Sequence, residues 1–93
     1  MSSHHPLQVA LGHVRNATYQ LMIGTDMDGL VLGLECLDLE ALLNWDDTEP
    51  AVVPAEPSPI ASLACARLEL EAHPGQVPPA AWPVLHSLLR KLG

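Results

Sequence analysis

The side chains that could do chemistry in this chain are few and scattered. Five histidines, two cysteines and eleven carboxylates are spread over 93 residues. Glu69 and His73 stand four apart, a spacing that puts both on one helix face. A zinc ion needs three or four ligands, so His13 and His86 would have to join them from distant parts of the chain. No Cys-x-x-Cys and no His-Glu-x-x-His is present. The histidines read first as surface and capping residues, and no metal or other cofactor is expected. Cys65 and His86 make the best available nucleophile and base. Neither a glycine-rich turn nor a nucleophile elbow accompanies them, so the sequence points away from an enzyme.

The run GTDMDG, Gly24–Gly29, has two glycines but no lysine, and its carboxylates would repel a phosphate. Asp26 and Asp28 alternate as the first ligands of a calcium loop do, yet the apolar run after Gly29 supplies none of the others. Turn and helix-cap chemistry suits this run better. Over a few residues, IGTDMDGLVLGLE resembles the modification region of acyl carriers, where a serine stands between Asp and Leu. Gly29 occupies that place here, so the resemblance implies no attached phosphopantetheine.

LECLDLEALLNWDD, Leu34–Asp47, combines leucines, acids and a tryptophan without one basic residue. Trp45 is followed by Asp46, Asp47 and Glu49 where a helix should stop. A tryptophan beside carboxylates at the edge of an element suits the anchoring of a basic or amphipathic partner. Leu42, Trp45, Asp46, Asp47 and Glu49 are therefore the candidate partner-binding residues. The competing reading has Trp45 covering the core and the acids solvated. LEALL and LHSLL fit the LxxLL groove-binding pattern, and LVLGLECLDL has the spacing of an export signal. Any leucine-rich helix produces such patterns, and core packing explains them first. Leu34, Leu37 and Ala41 are expected to face inward.

Composition narrows the classes further. Hydrophobic residues are 48% of the chain and charged residues 16%, too apolar for disorder. The net charge of −7, with four Lys and Arg, disfavours nucleic acid and anionic membranes, which attract basic proteins. A basic protein partner is electrostatically allowed. Nine carboxylates and no Lys or Arg lie between Asp26 and Glu56, whereas Ser58 onward carries two carboxylates and three bases. No uncharged apolar run is long enough to span a bilayer and no secretory leader opens the sequence, so a cytoplasmic protein is expected. Alanine and leucine richness without phenylalanine points to a GC-rich bacterial source.

The elements that must position these residues are helices. Leu7, Ala10, Leu11, Val14, Ala17, Thr18, Leu21 and Met22 follow helical spacing. Leu30, Leu34, Leu37 and Ala41 make a second stripe, although Leu32, Leu39, Leu42 and Leu43 add apolar surface on other sides. Residues 18–36 could instead form a β-hairpin turning at Asp28-Gly29, giving an α+β fold. Residues 48–59 hold four prolines and read as an extended internal linker. Ser58 and Pro59 open a third helix, for which Ala61, Cys65, Leu68 and Ala72 form the expected stripe. Trp82, Leu85, Leu89 and Leu92 mark a fourth. One small domain over 1–93 is expected: an all-α bundle of three or four helices, near 7–22, 29–45, 59–73 and 79–92, arranged as two helical hairpins joined by the Pro-rich connector. Its expected role is non-enzymatic. It would be a small acidic adaptor, regulator or assembly subunit that pairs with itself as a homodimer or masks a basic partner such as a toxin or nuclease. A ligand- or metal-binding bundle is the alternative.

Overall fold

Helix starts and stops follow from local chemistry in a computed structural model, which describes residues 6–24, 26–44 and 49–93. Helix α1 spans Pro6–Met22 and α2 spans Met27–Leu43. Asp26 caps α2: its Oδ1 accepts from the Asp28 N–H at 3.0 Å, so the helix starts two residues earlier than the glycine suggested. Helix α3, Pro59–Ala72, opens with Pro59 in its first turn and with Ser58 Oγ accepting from the Ala61 N–H at 3.2 Å. A single 3₁₀ turn, Pro74–Gln76, leads toward α4, Ala81–Leu92. Pro83 sits in the first turn of α4, where no intrahelical donor is lost. Arg90 and Lys91 lie in its last turn, where the helix dipole favours positive charge.

Among the described residues there is no strand, and the hairpin alternative over 18–36 is not needed. The chain is an all-α bundle. α1 packs on both α2 and α3, and α4 packs on both α2 and α3, which puts α1 and α4 at opposite corners. The core joins Leu7, Leu11, Val14 and Leu21 of α1, Cys36, Leu39 and Leu43 of α2, Leu63, Ala66 and Leu70 of α3, and Leu85 and Leu88 of α4. Each fully buried leucine contributes about 1.5–3 kcal/mol by leaving water.

Two expected stripes are turned. In α3 the inward residues are Ser62, Leu63, Ala66 and Leu70, while Leu68 and Ala72 are exposed. Leu63 and Leu70 bury more apolar area than the small residues of the expected stripe. Ser62 can be buried because its hydroxyl donates to Gln20 Oε1 at 2.9 Å. In α2 the inward residues are Gly33, Cys36, Leu39, Glu40 and Leu43, while Leu34, Leu37 and Ala41 are exposed. The small residues explain that choice. A methyl group placed at Gly33 would lie 2.8 Å from Met22 Cγ, so the side chains of α1 pack closely where α2 has none.

Residues 49–58 lie along α1 as an extended strap. The Ala51 N–H donates to the Gln8 carbonyl at 2.9 Å, Asn16 Nδ2 donates to the Val53 carbonyl at 3.3 Å, and Gln20 Nε2 donates to the Glu56 carbonyl at 2.6 Å. Gly12 lies between these contacts and has the Ala51 carbonyl directly above it, leaving no room for a β-carbon. Residues 8, 12, 16 and 20 recur every four positions, which aligns them along one side of α1.

Candidate interaction surface

Helix α2 has two faces with different tasks. Its inner face meets α1 through a small polar cluster. Glu40 is buried, yet its Oε1 accepts from Arg15 Nε at 3.2 Å and its Oε2 accepts from Thr18 Oγ1 at 2.7 Å. Thr18 Oγ1 also lies 3.0 Å from the Val14 carbonyl, and its single proton serves one acceptor at a time. Removing one partner would leave a buried carboxylate uncompensated, so the cluster fixes the register of α1 on α2.

Cys36 borders this cluster and is fully buried. Burial pushes its thiol up to about 11; the Thr18 hydroxyl pulls it down, while Glu40 and Glu35 raise it. A thiol in this setting stays protonated at neutral pH and is no nucleophile. Cys65, half-buried on α3, is also raised, by burial first and then by the Glu56 and Glu69 carboxylates. Both cysteines are free. His86, the base proposed for Cys65, is exposed and lies against Trp82 with ring centroids 6.0 Å apart. Among the described residues no three His, Cys, Asp or Glu converge as metal ligands.

The outer face of α2 is apolar and bare. Met27 is 72% exposed, Val31 52% and Leu34 59%, with Leu30 and Leu37 also exposed. These five recur at spacings of three and four, so they form one stripe along the helix. Asp26, Asp28 and Asp38 are exposed on the same element, and no Lys or Arg pairs with them among the described residues. Beside the stripe an open groove is lined by Asp28, Val31, Leu32, Glu35 and Lys91. Lys91 Nζ donates to Glu35 Oε1 at 2.7 Å, while Glu35 Oε2 is buried without a hydrogen-bond partner.

Of the partner-binding residues expected from sequence, Leu42 packs against the core and Glu49 is exposed. Trp45, Asp46 and Asp47 lie outside the described residues. The LxxLL leucines do not stand out together: Leu39, Leu43, Leu85 and Leu88 are all fully buried. The export-like spacing is split as well, with Leu30, Leu34 and Leu37 outward and Leu39 inward. Sequence reasoning missed the outer stripe because the densest leucine face was assigned to the core. Gly33, Cys36 and Glu40 on the other side were the available signal. No described helix is long and apolar enough to cross a membrane. Compared with protein-family models, curated proteins and solved structures, the chain has no match.

Proposed function

We propose that this protein is a non-enzymatic interaction module, a small acidic adaptor or regulator, and that it engages its partner through the outer face of α2. One observation carries the reading: five large apolar side chains, Met27, Leu30, Val31, Leu34 and Leu37, stay exposed on one helix of a fold that fully buries seven other leucines. Single exposed leucines are ordinary on protein surfaces, but a contiguous stripe rimmed by charge is typical of an interface. The narrower form of the proposal is a regulator that masks a basic surface on a toxin or nuclease; the unpaired acids of α2 support it.

The test places a photocrosslinking side chain at position 34 and, as a control, at the equally exposed position 68 of α3. In an extract of the source cells, position 34 is expected to capture one protein in high yield, and position 68 is expected not to. Equal capture at both positions, or none at either, would overturn the assignment of the α2 face.

A further inference from the structure

We infer that the occupant of this face is a cationic amphipathic helix of about four turns. The inference rests on the reading of α2 as the docking surface and adds the chemistry of the partner. Length comes first. Ala41, also exposed and four positions past Leu37, continues the stripe, and the fourteen residue steps from Met27 to Ala41 make about 21 Å of helix, which matches a partner helix of about 14 residues. Shape comes second. The stripe lies on a convex helix beside an open groove, the relief into which the side-chain ridges of another helix pack. No strand edge is available to extend among the described residues.

Charge selects between occupants of that shape. Helix α2 carries Asp28, Glu35, Asp38 and Glu40 without a single Lys or Arg, and Asp26 caps it. The bases near it are already engaged: Arg15 with Glu40 at 3.2 Å and Lys91 with Glu35 at 2.7 Å. Two α2 faces brought together would oppose Asp28 and Asp38 of one copy with those of the other, and like charges across an interface are costly. An anionic bilayer is repelled for the same reason. Helical spacing puts Asp28, Glu35 and Asp38 toward one side of the stripe, and a partner helix with Lys or Arg along the matching side neutralises Asp28 and Asp38. Apolar contact supplies the affinity and the acidic rim supplies selection and rate.

The experiment uses the full chain and a labelled synthetic peptide of about 14 residues, with leucines at helical i, i+3, i+4 and i+7 positions and lysines elsewhere. Fluorescence anisotropy is expected to show saturable binding that weakens as salt rises. Leu34→Gln is expected to raise Kd by roughly tenfold or more. The Asp28→Asn/Asp38→Asn double variant should weaken binding and flatten the salt dependence, and Leu68→Gln should change nothing. Circular dichroism confirms that each variant keeps its helices. The inference fails if a peptide with glutamates in place of lysines binds equally, or if Leu34→Gln leaves Kd unchanged. It also fails if light scattering finds a dimer that Leu34→Gln dissociates, or if neutral phosphatidylcholine vesicles take up the protein through Leu34. In those last two cases the α2 face remains the docking surface and only its occupant is wrong. Absence of crosslinking at position 34 instead removes the docking surface itself.

Discussion

The outer sides of α1 and α2 carry opposite chemistry and meet opposite fates. On α1 the line Gln8, Gly12, Asn16 and Gln20 is polar or bare backbone, and the strap 49–58 covers it. On α2 the line Met27, Leu30, Val31, Leu34 and Leu37 is apolar, and no part of the described chain covers it. Hydrophobicity alone would have placed the strap on the second face. A segment with prolines at 50, 54 and 57 cannot satisfy its backbone groups in a helix or a sheet ladder. Those groups need partners: the amide side chains of Asn16 and Gln20 donate to the Val53 and Glu56 carbonyls, and the Gln8 backbone carbonyl accepts from the Ala51 N–H. An apolar face offers none. The chain therefore lays its own extended segment where hydrogen bonds are available, and the greasier face is left uncovered by the described residues.

The largest test of this contrast lies within α2. Leu39→Ala removes a fully buried side chain and is expected to cost about 2–5 kcal/mol in urea unfolding. Leu34→Ala, five positions earlier but outward, should stay within about 0.5 kcal/mol. Similar losses at both positions would mean that the outer stripe is packed, and the distinction between the faces would collapse.

A second test sharpens the inner side by pH. The Cys36 thiol has an ordinary value of 9.0, which it regains on unfolding, and burial holds it at about 11 in the fold. Below the lower value the thiol is protonated in both states and adds no pH slope. Between the two values the unfolded chain releases its proton while the folded chain keeps it, so stability falls as pH rises. The loss across the window is roughly 2–3 kcal/mol. Urea midpoints at about pH 8 and about pH 10.5 should therefore differ more for the native chain than for Cys36→Ala. An identical pH dependence in the two proteins would show that Cys36 is not shielded by the α1–α2 contact.

How much of this could be read from the sequence differs by element. α1 and α4 each keep most of their apolar residues on one side; the inward residues of α1 follow from helical spacing, whereas α4 buries Ala81, Leu85 and Leu88 and leaves Trp82, Leu89 and Leu92 of the expected stripe at the edge of the core. Asp26, Ser58 and Pro59 announce helix starts through chemistry local to two or three residues. α2 and α3 are apolar on several sides, so spacing leaves their rotation open. That rotation is set by partners distant in the chain: Met22 against Gly33, Arg15 and Thr18 on Glu40, Gln20 on Ser62. The outer stripe was visible as leucines but not as surface, because its exposure depends on which other face α1 selects. The four-residue recurrence of Gln8, Gly12, Asn16 and Gln20 was equally visible, and its meaning depends on a strap some 40 residues away in sequence.

Gly12 is where the covered face can be broken. Alanine at a helix interior normally gains up to about 1 kcal/mol over glycine, so Gly12→Ala would stabilise an isolated α1. Here the new methyl meets the backbone carbonyl of Ala51, and a backbone atom cannot rotate aside as a long side chain does. The strap must lift, which strains the Ala51–Gln8 and Asn16–Val53 hydrogen bonds on either side of the collision. The sum is expected to be a net loss of about 1–2 kcal/mol with faster proteolysis between residues 49 and 58. Gly75→Ala is the control, since nothing lies within 4 Å of a β-carbon there. A Gly12→Ala protein that is more stable and no easier to cleave would show that the strap rests loosely on α1. Coverage of the polar face would then owe nothing to close backbone approach. If the loss appears as expected while peptide binding at Leu34 is unchanged, the two outer faces act independently: one closed by the chain's own backbone, the other open to a partner.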